Sequence, residues 1–159
     1  MKQLNIALLC LLVFFSTFSI AKQEAQWLDK VDLTQYQDKV VYLDFWASWC
    51  GPCRKSFPWL NSMQQKYQDK GLIIIGVNLD KDIHSAQNFL ENTPATFLLY
   101  SDPTGAMGKQ YQLVGMPSSY LIASDGTING KHIGFKKSKT AEYEANIVKL
   151  LAQLPQNKE

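Results

Sequence analysis

Cys50 and Cys53 stand either side of Gly51-Pro52, inside the run Trp46-Ala47-Ser48-Trp49-Cys50-Gly51-Pro52-Cys53-Arg54-Lys55-Ser56-Phe57-Pro58. Two thiols so spaced can hold a metal, staple the chain, or pass electrons by opening and closing a disulfide. A structural zinc site takes four nitrogen or sulfur ligands. Beyond this pair and Cys10 the chain offers only His84 and His132, and neither has the spacing of a zinc knuckle. A purely structural disulfide is open to an exported protein. However, so short a loop removes little entropy from the unfolded chain. Redox exchange is the reading the pair favours.

That chemistry needs a thiolate, and the flanking pattern supplies one. Val40 to Trp46 is β-branched and aromatic, the composition of a strand buried on both faces. Pro52 to Asp69 reads as a helix, with Phe57, Leu60, Met63 and Tyr67 at helical spacing, a kink at Pro58 and a stop at Lys70-Gly71. Cys50 therefore falls at a helix N-terminus, where unpaired N–H groups and partial positive charge lower a thiol pKa from about 8.5 toward neutrality. It is the expected nucleophile. Cys53, one turn inside, is the expected resolving thiol. Pro52 suits a first turn, where its missing N–H would be unpaired anyway, and Trp49 forms an apolar wall. Asp44 is an acid inside the buried strand. Burial should raise its pKa, and a carboxyl near Cys53 could move protons. The competing reading is a strand-edge acid paired with a lysine.

The other elements follow from the same patterns. A short edge strand is expected near Trp27–Leu28 and a second buried strand at Leu72–Asn78. Strand, helix and strand with a short return imply a parallel pair with a right-handed crossover. Asp82–Asn92 is a helix, with Asp82 as cap and Ile83, Ala86, Phe89 and Leu90 inward. A strand at Thr96–Tyr100 and a short helix at Gly105–Tyr111 come next. Ser119–Ala123, the turn Ser124-Asp125-Gly126 and Thr127–Ile133 form a hairpin. Ala141–Leu154 is a closing helix, with Tyr143, Ile147, Leu150, Leu151 and Leu154 on one face.

Lys2, an apolar run from Leu4 to Ile20 and the small-x-small end Ser19-Ile20-Ala21 describe a secretory leader over residues 1–21; the alternative is an uncleaved anchor. Cleavage would take Cys10 away. Without Lys2 the charge of +2 falls to about +1, which is no footprint for nucleic acid. The expected divisions are a leader (1–21), an N-terminal extension (22–37), one domain (38–154) and a tail (155–159). A domain of this length can bury a core without staples.

The stretch Val41-Tyr42-Leu43-Asp44-Phe45-Trp46-Ala47-Ser48-Trp49-Cys50-Gly51-Pro52-Cys53 resembles the active-site strand and loop of thioredoxin. Pro58 matches that fold's helix kink, and Gly115-Met116-Pro117 before Ser118-Ser119-Tyr120 resembles its cis-proline loop. Asp125-Gly126 and Gly134 match its hairpin turn and last-strand glycine. The resemblance implies an α/β thioredoxin fold: a central mixed sheet flanked by helices, here with an α/β insertion near Ser85–Gly105 before the cis-Pro loop. The insertion, the leader and Arg54-Lys55-x-Phe57-Pro58 are similar to the exported TlpA/ResA-type thiol–disulfide oxidoreductases.

Several expectations follow from that resemblance. The Met116-Pro117 peptide should be cis, and Trp49, Gly51, Pro52, Met116, Pro117 and Gly134 should frame a shallow apolar groove for extended peptide. Asp44 matches an aspartate that moves protons in thioredoxin. Ser56 stands where many TlpA/ResA-type reductases carry glutamate, which draws attention to Asp44 instead. The implied function is reduction of client disulfides outside the cytoplasm, in the periplasm or its equivalent, often for cytochrome c maturation. Electrons would come from a membrane thiol donor. No cofactor and no metal are required, no nucleic acid is a partner, contact with membrane is through the leader alone, and a monomer is expected. A disulfide oxidase or isomerase and a non-enzymatic chaperone for thiol clients are the alternatives. Potentials separate the directions: about −270 mV for thioredoxin against about −120 mV for DsbA.

Overall fold

The computed structural model of the protein describes residues 26–155, so the expected leader and the last four residues lie outside it. The chain runs β1 (Trp27–Leu28), β2 (Val40–Trp46), α1 (Gly51–Tyr67), β3 (Leu72–Asn78), α2 (Ile83–Asn92), β4 (Leu98–Ser101), α3 (Ala106–Gln110), β5 (Ser118–Ile122), β6 (Ile128–Ile133) and α4 (Thr140–Leu151). The strands form one sheet in the order β1-β4-β3-β2-β5-β6. β2 pairs parallel with β3 and antiparallel with β5, so the strand that leads into Cys50 is central. All seven of its residues are buried.

Strand alternation divides the core in two. Val40, Tyr42 and Trp46 face one layer with Cys53, Phe57, Leu60, Phe89, Phe97 and Ile147. Val41, Leu43 and Phe45 face the other, with Ile75, Val77, Tyr120 and Ile122. By the same alternation Asp44 belongs to the first layer, beneath α1 and α4.

The ends of elements show what local pattern could not. α1 runs through Pro58 and passes into a 3-10 turn, Gln68–Lys70, that stops at Gly71 with φ 97°. Only glycine takes that left-handed backbone cheaply. β4 starts at Leu98 rather than Thr96. The Thr96 N–H donates to the Asn61 side chain of α1 at 2.8 Å, and pairing with β3 begins only at Ile75↔Leu98. The same late start leaves the Ile74 N–H without a strand partner, and the buried Gln64 side chain accepts it at 2.9 Å. The short helix α3 exists because the Asp102 carboxylate accepts the N–H groups of Ala106, Met107 and Gly108. α4 ends at Leu151, three residues before the sequence pattern does, and Leu154 packs against the core from the following turn.

β1 lies at the sheet edge, paired parallel with β4. α2 and β4 belong to the expected insertion, and β4 is a full member of the sheet between β1 and β3. No helix among the described residues is long and apolar enough to cross a membrane.

Candidate active site

The site forms where β2 ends. Strand β2 delivers the chain through Ala47, Ser48 and Trp49 to Cys50, which caps α1 with extended backbone (φ −83°, ψ 101°). The Cys50 sulfur accepts the N–H of Cys53 at 3.2 Å. This is one of the donors a helix start leaves unpaired. The two cysteines are joined in a disulfide, with Cα atoms 5.3 Å apart. Cys53 is fully buried and Cys50 is 5 % exposed, so only Cys50 can be approached from outside. The first turn of α1 holds no acid, and nothing there repels a thiolate.

The turn before Cys50 is tied down from two sides. Asp80, buried just beyond β3, accepts the Ser48 N–H at 2.8 Å and the Ser48 hydroxyl at 2.9 Å. Asp80 also accepts the Asn78 amide at 2.7 Å. Arg54 lies over the Phe89 ring of α2, 4.6 Å from its centroid. It donates to the Thr93 hydroxyl at 3.3 Å, which links α1 to the inserted helix.

An open groove of about 500 Å³ crosses the disulfide, walled by Trp49, Cys50, Gly51, Pro52, Leu79, Leu113, Gly115 and Met116. Trp49 is 70 % exposed. The Met116-Pro117 peptide is cis. Pro117 and Gly134 are joined beside the groove: Pro117 is buried, and its carbonyl accepts the Gly134 N–H at 2.7 Å. These two residues brace the loop that presents Met116. Leu79 and Leu113 also line the wall, and nothing in their local sequence announces them. A larger hollow of about 820 Å³ lies by Tyr67, Gly71 and Leu154, and its lining includes neither Cys50 nor Cys53.

Asp44 is 1 % exposed and sits opposite Ser119 in the β2–β5 register. The Ser119 hydroxyl donates to its Oδ1 at 2.5 Å, while Oδ2 has no partner. Burial pushes its pKa up to about 7, against the smaller lowering by Ser119. β2 is central and no ion pair among the described residues reaches Asp44, so the strand-edge acid paired with lysine is not what forms. A buried carboxyl with a pKa near neutrality can take or give a proton there. Ser56, 2 % exposed, faces the same core, and its hydroxyl donates to the Cys53 carbonyl at 2.9 Å.

Neither histidine joins the thiols. His84 is exposed on α2 and bonds with Gln87 at 3.1 Å. His132 on β6 meets the Tyr42 hydroxyl at 2.5 Å.

Residues 17–147 match the Redoxin family. The Thiol-disulfide oxidoreductase ResA of Bacillus thuringiensis subsp. konkukian (strain 97-27) is 34% identical over 99 residues, covering 62% of this chain and 57% of the relative. The Thioredoxin-like protein YneN of Bacillus subtilis (strain 168) is 30% identical over 122 residues, covering 75% and 71%. A crystal structure from Chlorobium tepidum, proposed to be a Thiol:disulfide interchange protein DsbE, superposes with a TM-score of 0.74 at 45% identity. It covers 76% of this chain and 86% of that one. The match spans less than two thirds of the ResA relative's length.

Proposed function

The chain belongs to the Redoxin family, as a thioredoxin-like protein of the TlpA/ResA type, and from that premise we propose that it is an exported thiol–disulfide oxidoreductase that reduces disulfides in client proteins. One observation carries the reading. A disulfide between Cys50 and Cys53 caps a helix at the floor of an apolar groove, with one sulfur reachable and the other sealed in the core.

The reaction follows from that asymmetry. With the pair reduced, the Cys50 thiolate attacks one sulfur of a client disulfide. A Cys50–client mixed disulfide forms, and the first client thiolate leaves and takes a proton. Cys53 then gives its proton to the Asp44 carboxylate and attacks the Cys50 sulfur. The Cys50–Cys53 bond forms, the second client thiolate leaves, and two electrons have passed to the client. An extended client segment lies across Trp49, Gly51 and Pro52, beside the backbone of Met116, as a strand would. Electrons return from a membrane thiol donor, and apocytochromes in cytochrome c maturation are the client class that the resemblance implies. No dissociable cofactor enters the cycle.

Turnover of insulin disulfides with a dithiol reductant tests the reading. The unsubstituted chain should catalyse it, Cys50→Ser should abolish it, and Cys53→Ser should accumulate the mixed disulfide. The potential of the pair against glutathione should lie nearer about −270 mV than about −120 mV. A value at the upper end makes the protein an oxidase. Client binding that survives alkylation of Cys50, with no turnover, makes it a chaperone.

A further inference from the structure

Asp44 is sealed from solvent, so a proton it takes from Cys53 must have a way out. A row of polar side chains leads from it across the sheet. Asp44 on β2 lies opposite Ser119 on β5, and Ser119 lies opposite His132 on β6. All three therefore point to the same face. Tyr42, two residues before Asp44 on that face, closes the row by meeting His132 Nε2 with its hydroxyl at 2.5 Å. Ser119 donates to Asp44 at 2.5 Å, and the Tyr42 side chain crosses β5 to reach His132, the residue opposite Ser119. The row ends at a half-buried ring, whereas Asp44 is fully enclosed.

We infer that Ser119, Tyr42 and His132 are the path by which Asp44 exchanges its proton with solvent, with His132 as the outer terminus. This rests on the proton role given to Asp44 in the proposed reaction.

The orientation of the hydrogen bonds favours discharge. The Gly134 carbonyl lies 3.2 Å from His132 Nδ1. A carbonyl only accepts, so Nδ1 carries the hydrogen, and Nε2 of the neutral ring accepts from Tyr42. When Asp44 is protonated it donates to the Ser119 oxygen. The Ser119 hydroxyl, released from donating to Asp44, turns toward Tyr42 and passes its hydrogen to the phenol oxygen, the Tyr42 hydrogen passes to Nε2, and the imidazolium sheds a proton to water. Each hydroxyl gains one proton and loses one, and Asp44 is left as the carboxylate.

The groups that face the row are consistent with a ring that does not keep the proton. Asp44 is faced by Ser119 of β5, by Gly76 of β3 in register, by Tyr42 and Trp46 of its own strand, and by the layer that Cys53 of α1 and Ile147 of α4 share, none of them cationic. His132 is stacked on Tyr143 of α4, with centroids 4.2 Å apart. Burial lowers its pKa first. The Gly134 carbonyl and the Glu142 charge oppose that, and Lys139 adds to it. Burial holds Tyr42 well above its usual value, with Asp44 adding to that. The phenol therefore relays a proton without ionising.

The test is a pH jump on the full oxidised chain, followed by infrared spectroscopy. The protonated-carboxyl band that Asp44→Asn removes reports the proton on Asp44. After a jump from about pH 5 to about pH 9, Tyr42→Phe, Ser119→Ala and His132→Gln should each slow the loss of that band about tenfold. The double variant of Tyr42 and His132 should be no slower than either single one. Added imidazole should restore the rate in His132→Gln. Tyr42→Phe keeps the ring that packs on Trp59, so folding does not confound it. Unchanged rates in all three variants overturn the path, and so does slowing that imidazole leaves untouched. The jump involves no client, so loss of insulin turnover in the unsubstituted chain would overturn the proposed function and leave this result standing.

Discussion

Asp80 holds both polar donors of Ser48, the N–H at 2.8 Å and the hydroxyl at 2.9 Å. It thereby anchors the end of β3 to the turn that carries Trp49 and Cys50. Asp80→Ala would leave the Ser48 N–H and the Asn78 amide without that acceptor. It should destabilise the fold by about 3 kcal/mol, since each buried donor that loses a charged acceptor costs about 1–3 kcal/mol. Urea unfolding of the oxidised protein measures this. A loss within about 0.5 kcal/mol, the range of an ordinary surface substitution, would show that the anchor is unimportant.

The Asp44 carboxyl makes stability fall as pH rises. Its folded pKa of about 7 lies above the ordinary value of 3.8. Between those values the folded chain keeps a proton that the unfolded chain has lost. The penalty is absent below pH 3.8, grows through the window and is complete above pH 7. Its full size is on the order of 4 kcal/mol. Asp44→Asn should therefore raise stability by a few kcal/mol at about pH 8 and by little at about pH 4. The same substitution should slow resolution of the mixed disulfide. Equal stability gains at both pH values would contradict the raised pKa.

Ser56 contributes little by itself. Its hydroxyl bonds back to the carbonyl of Cys53 one turn earlier, and Ser56→Ala should cost about 1 kcal/mol or less. Ser56→Glu is different, because the position is 2 % exposed. A carboxyl there would be driven toward its neutral form. The variant should lose about 2–4 kcal/mol at about pH 8 and less at about pH 5. Unfolding curves at the two pH values decide it.

Gly76 lies where three side chains converge. A Cβ there would meet Leu99 Cδ2 and Phe97 Cε2 at 3.0 Å and Trp46 Nε1 at 3.1 Å. These neighbours are buried and would have to give way to admit the methyl group. Gly76→Ala should destabilise by about 1–3 kcal/mol through overpacking, read from the thermal midpoint. An unchanged midpoint would mean that the rings shift freely.

The central elements were legible because their signals are local. β2 and β3 have the bounds that their apolar runs predict, Val40–Trp46 and Leu72–Asn78, and Asp82 caps α2 as its position suggests. Boundaries slipped where a distant partner set them. Asn61 holds Thr96 out of β4 from 35 residues away. Leu79 and Leu113 entered the groove wall for a similar reason: their loops are placed by the sheet and have no periodicity of their own.

What the sequence by itself determined is the order of events around the thiols: a buried strand, a Trp-Cys-Gly-Pro-Cys turn, and a helix whose first turn holds both sulfurs. Short-range backbone chemistry is enough for that. Tertiary structure decided what surrounds the pair. Ser119 reaches Asp44 across 75 residues, Asp80 reaches Ser48 across 32, and Tyr42 meets His132 across 90. Hydrogen bonds form between atoms about 3 Å apart in space, and only the pairing of β2 with β3 and β5, and of β5 with β6, brings these groups that close.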